Sequence, residues 1–180
     1  MIFFDINGTL FDQEKAEKLA VIRFFKENLT DLQVNANEFV DIKDIYWNNY
    51  LTYLIKGLST IERSRMLMKD LFGLHISNEM ADHKTNDFFN FYKQNWIPFQ
   101  DVIPCLEQLK SKNLNLGVIC NGDYERQVDK LETLGVKKYF DVITISNQNG
   151  YAKPNKHIFL KACNEANIQP EQAYYIGDNL

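Results

Sequence analysis

The sequence predicts an α/β fold: a doubly wound, Rossmann-like parallel sheet that carries an inserted all-helical domain. The 180-residue chain opens with Ile2-Phe3-Phe4, a continuous apolar run typical of a strand that is buried on both faces. From residue 99 onward, strand-like and helix-like segments alternate, which indicates a parallel sheet. Residues 14–98 show helical spacing and no convincing strand. We therefore assign residues 1–13 and 99–180 to a sheet-containing core and 14–98 to a helical insert.

The helical insert contains several segments with helix start signals. Asp12 can cap a first helix, and Ser59-x-x-Glu62 forms a capping box before a later one. The spacing of apolar residues predicts two further helices, over 37–56 and 77–92. We interpret the abundant aromatic residues of the insert as the core of a helical bundle. Three of them could also stack on a substrate base, and that alternative stays open: Trp47, Tyr50 and Tyr53.

The second part of the chain alternates between strands and helices. Pro104 suits the first turn of a helix. An apolar strand that ends at Cys120 is followed by Asn121-Gly122-Asp123, a turn that opens another helix. The predicted strands cover 116–120, 140–145 and 173–177, and the predicted helices end at residues 112, 134 and 166.

Composition and charge exclude several classes of protein. The net charge of -4 and the lack of a Lys/Arg run argue against a nucleic acid polymer as partner. No apolar stretch approaches the roughly 20 residues that span a bilayer, and the N-terminus does not resemble a signal peptide, so no membrane partner is expected. Three cysteines without CxxC spacing favour reduced thiols and a cytoplasmic protein. We expect Cys105 and Cys163 in the core, and a monomer or weak dimer.

Residues suited to chemistry follow each predicted strand of the core. Asp5-Ile6-Asn7 comes after the first strand and Cys120-Asn121-Gly122 after the second. Lys153 follows the third strand and Asp178 the fourth. Because the carboxyl ends of parallel strands meet at one edge of a sheet, we expect these groups to lie together. Each has an ordinary explanation alone, as a turn residue, a surface lysine or a helix cap, and their coincidence favours a functional site.

These segments resemble the four motifs of the haloacid dehalogenase (HAD) superfamily of hydrolases. Asp5-Ile-Asn-Gly-Thr-Leu10 is similar to the nucleophile motif of that family, Asp-x-Asp-Gly-Thr-Leu. Gly-Val-Ile-Cys-Asn-Gly, then Ile-Ser-Asn-Gln-Asn-Gly-Tyr-Ala-Lys-Pro-Asn, then Ile-Gly-Asp-Asn resemble the other three, most closely in the small-phosphatase and nucleotidase branches. The resemblance implies a HAD-type core, and it implies that the helical insert is a cap domain.

The resemblance also implies a role for each residue. Asp5 would attack phosphorus and form an aspartyl-phosphate, and Lys153 would stabilise the phosphoryl charge. Cys120 and the backbone N–H groups of Asn121 and Gly122 would contact the phosphate. The expected substrate is a small phosphorylated metabolite, such as a nucleotide or a sugar phosphate. The expected cofactor is Mg²⁺, with three ligands: Asp5, Asp178 and the backbone carbonyl oxygen of Asn7.

Three features depart from the family pattern. Asn7 stands where the phosphatases of the family have an acid-base aspartate, and an amide cannot transfer that proton, so we expect turnover to be slower by about 10²–10⁴-fold. An engineered change, a natural loss of activity and another proton relay are all open as explanations. Cys120 replaces a serine or threonine, and without a nearby histidine we interpret it as a small buried residue. The chain reaches only the start of the fourth motif, so we expect the C-terminal part of the core to be truncated.

Three functions fit these observations. The first, which we favour, is a Mg²⁺-dependent HAD-type phosphatase with impaired turnover. The second is a metal-free 2-haloacid dehalogenase, a branch that also lacks an acid at the position of Asn7, although the pair Gly177-Asp178 argues against it. The third is a non-catalytic HAD-fold binding protein, which the changes at Asn7 and Cys120 together would favour.

Overall fold

The computed structural model describes residues 1–28 and 59–178. Contacts divide the chain into two compact units, one made of Met1–Glu14 with Trp96–Leu180 and the other of Lys15–Asn95. The first unit contains the sheet, and the second is helical where the structure describes it. A role for the second unit as a cap stays a prediction. The helix predicted over 37–56 lies outside the described residues, together with Trp47, Tyr50 and Tyr53.

Within the described residues, the core sheet has four strands: β1 (Ile2–Phe4), β2 (Leu116–Cys120), β3 (Val142–Ile145) and β4 (Tyr174–Ile176). Their order is β3-β2-β1-β4, and all neighbouring strands are parallel. The predicted α/β class is therefore confirmed. β2 has the predicted bounds because it is one apolar run that is buried throughout. β3 begins later than predicted because the N–H of Phe140 still closes the preceding 3₁₀ turn.

A close contact between a ring and a glycine holds β1 against β2. Phe3 is 1% exposed and lies opposite Gly117 in the parallel register. A Cβ atom on Gly117 would lie 2.5 Å from the Phe3 ring, so only glycine leaves room for that ring. Phe3 also belongs to a buried cluster that contains Ile119, Ile158, Ala162 and Cys163.

The structure describes three helices between β1 and residue 95: α1 (Gln13–Glu27), α2 (Thr60–Phe72) and α3 (Asn78–Gln94). The predicted capping box is present at the start of α2, where the side chains of Ser59 and Glu62 each accept from the backbone N–H of the other. Phe24 packs edge-on against Phe72 and Phe88, with ring centroids 5.8 Å apart in both pairs. Aromatic residues therefore form the packing core of these helices, as predicted.

The core unit contains four further α-helices in its described part: α4 (Val102–Ser111), α5 (Tyr124–Thr133), α6 (Ser146–Asn149) and α7 (Lys156–Glu165). Cys163 of α7 is buried, as predicted. Cys105 is exposed, so its predicted place in the core is wrong. The helix α4 buries Val102 and Leu106, and a residue next to Leu106 on a helix faces a different side. No helix that the structure describes has the length and apolarity needed to cross a membrane.

Candidate active site

Asp5 occupies the carboxyl end of β1 and is held on three sides. Its backbone N–H donates to the carbonyl oxygen of Ile176, which continues the pairing of β1 with β4. Its Oδ1 accepts a hydrogen bond of 2.8 Å from the N–H of Ile6. Its Oδ2 lies 2.7 Å from Nζ of Lys153, and Asp5 as a whole is buried. The carboxylate is therefore fixed in position and has a cation beside it.

Lys153 reaches Asp5 because Asn121 holds its backbone. Lys153 lies well beyond the end of β3, in a segment outside the regular elements. The side chain of Asn121, at the end of β2, accepts from the Lys153 N–H at 2.7 Å and donates to the Lys153 carbonyl oxygen at 3.0 Å. The lysine side chain is only 16% exposed. The place of the cation therefore depends on the end of β2 as well as on its own segment.

Tyr175 is a second partner of Lys153 that was not predicted from the sequence. Lys153 Nζ donates to the Tyr175 hydroxyl at 2.6 Å. Burial acts to lower the pKa of Lys153, but the hydrogen bonds to Asp5 and Tyr175 outweigh it, and the pKa is raised. Burial is the main cause that raises the pKa of Tyr175, so its hydroxyl stays protonated. The only signal in the sequence was its central place in a strand, which does not say where a hydroxyl points.

Asn7 is paired with a buried lysine that was also not predicted. Lys130 of α5 donates from Nζ to Asn7 Oδ1 at 2.7 Å. Asn7 Nδ2 lies on the side of Cys120, 4.0 Å from its Sγ. Lys130 is 6% exposed. The sequence contained one signal of this lysine. Lys130 lies on the same buried face of α5 as Gln127 and Leu131, and a charged residue is unusual on such a face.

Cys120 is buried at the end of β2, and its thiol stays protonated. Burial raises the pKa of Cys120 to about 12, and the nearby charge of Asp5 adds to the effect. A thiolate is the form in which cysteine acts as a nucleophile. The interpretation of Cys120 as a small buried residue agrees with this environment.

Asp178 follows β4 and packs against the turn that follows Asp5. Gly8 has a φ of +71°, and a Cβ atom there would collide with the Asp178 carboxylate. The carboxylates of Asp5 and Asp178, with the backbone carbonyl of Asn7 that the resemblance implies as a third ligand, are hard oxygen donors, which Mg²⁺ prefers together with water and phosphate oxygens. No cluster of three His, Cys, Asp or Glu side chains occurs in the described part of the chain. Because Mg²⁺ is commonly held by only one or two carboxylates, these residues fit the ion.

One cavity of about 610 Å³ is lined by all the predicted site residues except Gly122. The N–H of Gly122 donates instead to the hydroxyl of Ser146 at 2.9 Å. The roles assigned to these residues stay predictions. The predicted residues that line the cavity are Asp5, Asn7, Cys120, Asn121, Lys153 and Asp178.

The groups around this cavity have complementary chemical abilities. A fixed carboxylate such as Asp5 can attack an electrophile and form a covalent intermediate. The ammonium of Lys153 can stabilise negative charge that develops next to it. The amide of Asn7 can donate or accept a hydrogen bond, but it has no proton to transfer at neutral pH. The cavity is therefore equipped for nucleophilic attack on an anionic substrate, and it lacks an acid at Asn7.

The parallel sheet and this cavity are typical of an enzyme whose site lies at the edge of the sheet where the carboxyl ends of the strands meet. A family model for haloacid dehalogenase-like hydrolases matches residues 1–180, and the chain belongs to that family. The family membership that the motifs predict is therefore confirmed.

The relatives of the chain in that family include phosphatases. It is 28% identical to a glyceraldehyde 3-phosphate phosphatase of Methanopyrus kandleri, over 99% of this chain and 75% of the relative. It is 32% identical to a glyceraldehyde 3-phosphate phosphatase of Methanocaldococcus jannaschii, over 99% of this chain and 76% of the relative. Its fold is similar to that of the HAD-hydrolase YfnB from Bacillus subtilis, which was solved with bound magnesium, with a TM-score of 0.74. The two sequences are 19% identical, and the match covers 99% of this chain and 78% of the other. The chain is a HAD-like hydrolase of the phosphatase kind.

Proposed function

We propose that this protein is a Mg²⁺-dependent phosphatase that hydrolyses a small phosphomonoester through an aspartyl-phosphate, with turnover slowed by Asn7. The observation that carries the proposal is the 2.7 Å contact between Asp5 and Lys153 in a cavity that Asp178 also lines. A nucleophile, a cation for the phosphoryl oxygens and a second carboxylate meet there. The relatives that act on glyceraldehyde 3-phosphate support a small phosphorylated metabolite as substrate.

The proposed reaction has two steps at Asp5. In the first, an Asp5 carboxylate oxygen bonds to phosphorus while the bond from phosphorus to the alcohol oxygen breaks. In the second, water attacks phosphorus, phosphate leaves, and the Asp5 carboxylate is restored. Lys153 stabilises the phosphoryl charge in both steps. Mg²⁺, held by Asp5, Asp178 and the Asn7 carbonyl oxygen, would neutralise negative charge when bound.

Asn7 affects both proposed steps. The first step needs a proton for the departing alkoxide, and the second needs a base for the attacking water. An amide provides neither, so both protons must be exchanged with water or with the phosphate itself. Substrate binding does not depend on this proton transfer. We therefore place the expected defect in turnover, and we expect the substrate to bind.

The size of the cavity supports a small phosphorylated substrate. A volume of about 610 Å³ accommodates a nucleotide or a sugar phosphate.

The helical unit Lys15–Asn95 would act as a cap that excludes water and selects the substrate. We place the protein in the cytoplasm, since its three cysteines are free thiols.

Metal-dependent hydrolysis of an aryl phosphate tests the proposed function. The protein is expected to release phosphate slowly from p-nitrophenyl phosphate with Mg²⁺, and EDTA should abolish the release. A panel with glyceraldehyde 3-phosphate, a nucleoside monophosphate and a hexose phosphate would then rank substrates. Chloride release from 2-chloropropionate without metal would favour the dehalogenase instead. No reaction with either substrate after Asn7→Asp, together with no aspartyl-phosphate on mass analysis, would favour the binding-protein alternative.

Tyr175→Phe is expected to lower kcat/KM by roughly three- to tenfold, because Lys153 loses one hydrogen-bond acceptor. The ring should stay in place, since it packs edge-on against Phe159 with centroids 5.2 Å apart. Steady-state kinetics and the melting temperature measure the two effects separately. Tyr174→Phe is the matched control, because Tyr174 is the neighbouring residue and is 75% exposed. Equal rates in the two variants would show that the Tyr175 hydroxyl does not support Lys153.

A further inference from the structure

Lys130 is a buried charged side chain that lies beside two aromatic rings and the amide of Asn7. Its Nζ lies 4.9 Å from the centroid of the Phe11 ring and 5.1 Å from that of the Trp96 ring. It donates to Asn7 Oδ1 at 2.7 Å. Burial of an ammonium group costs free energy unless hydrogen bonds and aromatic faces compensate for it. The chain therefore keeps a buried cation at the residue that departs from the family motif.

The chemistry of the ammonium group decides which end of the Asn7 amide faces it. An ammonium has three donors and no acceptor, whereas a carboxamide has an accepting oxygen and a donating nitrogen. Only Oδ1 can therefore pair with Lys130, because a turned amide would bring two donors together. Since the group is planar, Nδ2 is then directed away from Lys130.

The other side of the Asn7 amide is directed towards Cys120, which lines the cavity together with Asn7. Nδ2 lies 4.0 Å from Cys120 Sγ, and Asn7 and Cys120 both line the cavity that contains Asp5 and Lys153. A thiol sulfur is a weak acceptor, so an oxygen of a bound ligand competes well for the N–H. Asn7 can therefore offer a neutral hydrogen-bond donor at a place where an aspartate would bring negative charge.

We propose that Lys130 is a positioning residue, which holds the Asn7 amide with its Nδ2–H group towards an oxygen of the bound phosphomonoester. This inference rests on the proposed function. It goes beyond that function by assigning Asn7 a part in substrate binding and by naming the residue that enforces it. A donor of this kind contacts substrate and transition state alike, so its loss raises KM and leaves kcat nearly unchanged.

The first test is a cycle of Lys130→Met, Asn7→Ala and the double variant. Each single variant is expected to raise KM for p-nitrophenyl phosphate, and Kd for inorganic phosphate with Mg²⁺, by roughly five- to tenfold. The double variant should be no weaker than Asn7→Ala, because Lys130 acts through Asn7. Lys137→Met is the matched control, since Lys137 pairs with Glu132 on the surface. Equal affinity in Lys130→Met and the native chain would overturn the inference, and so would effects that multiply in the double variant.

A second test needs no variant at position 130 to fold. The side-chain amide of Asn7 gives its own signals in a ¹H–¹⁵N spectrum, which can be assigned by their loss in Asn7→Asp. In the native protein this amide should be as ordered as the backbone, and its signals should shift when phosphate and Mg²⁺ are added. An amide as mobile as that of the exposed Asn164 would contradict the inference.

Failure of the inference differs from failure of the proposed function. A native chain that binds phosphate and hydrolyses the ester, with Lys130→Met unchanged, contradicts only the role of Lys130. A native chain that neither binds phosphate nor hydrolyses the ester, and that Asn7→Asp does not activate, removes the proposed function and with it the inference.

Discussion

Replacing Asn7 with aspartate is expected to raise kcat for phosphomonoester hydrolysis by about 10²–10⁴-fold. The introduced carboxyl group can protonate the departing alkoxide and later accept a proton from the attacking water. Asn7 already lies in the cavity that contains Asp5 and Lys153, so the new group needs no rearrangement to act. Kinetics with Mg²⁺ and a series of esters measure the gain.

The leaving group provides an internal check on this prediction. An alkyl ester releases a strongly basic alkoxide that needs a proton, whereas p-nitrophenolate needs none. Asn7→Asp should therefore accelerate phosphorylation of Asp5 more strongly with an alkyl ester than with the aryl ester. Asn164→Asp is the control for the chemical change alone, because Asn164 is exposed on α7. If Asn7→Asp gives no acceleration with either ester, the absent acid is not what limits turnover.

Asp5→Asn is expected to abolish hydrolysis, with a loss of at least about 10³-fold, because an amide is not a nucleophile under these conditions. The change is nearly isosteric, and it removes the charge that faces Lys153 at 2.7 Å. Acid-quenched samples analysed by mass spectrometry should contain a phosphorylated Asp5 peptide in the native chain and none in the variant. The phosphorylated form should accumulate in the native chain if Asn7 also slows the second step.

Asp141→Asn is the control for loss of an aspartate that pairs with a lysine. Asp141 lies 3.0 Å from Lys110 on the surface of the core, away from the residues that line the cavity. This variant should keep its hydrolytic activity and its phosphorylated Asp5 peptide. A phosphorylated peptide elsewhere in the chain, or activity retained in Asp5→Asn, would show that Asp5 is not the nucleophile.

The sheet could be predicted closely because its strands are short apolar runs between polar turns. β2 was predicted at its observed bounds, since a strand buried on both faces has no polar position to confuse the pattern. The predicted strands over 140–145 and 173–177 are longer than the observed β3 and β4, because the turns at the start of β3 and of β4 replace the pairing between strands there. The gathering of Asp5, Lys153 and Asp178 in one cavity followed from the rule that ligands bind at the carboxyl ends of parallel strands.

The partners of the site residues could not be predicted in the same way. Lys130 meets Asn7 only because α5 docks with its buried face towards the end of β1, and no local pattern specifies that contact. The hydroxyl of Tyr175 meets Lys153 because Asn121 holds the backbone of the lysine. Side-chain hydrogen bonds between distant segments depend on distances of a few tenths of an ångström. Sequence spacing does not contain that information.

The close contact of Phe3 with Gly117 links a residue that does not line the cavity to the strand that precedes Asp5. Phe3 packs against Gly117, and Asp5 comes directly after the short strand that contains Phe3, so this contact helps to fix the register of β1 against β2 next to the carboxylate. A larger residue at 117 would push β1 out of alignment with its neighbours. We therefore expect that a substitution at residue 117 can displace the Asp5 carboxylate, and so change activity, from a position that does not line the cavity.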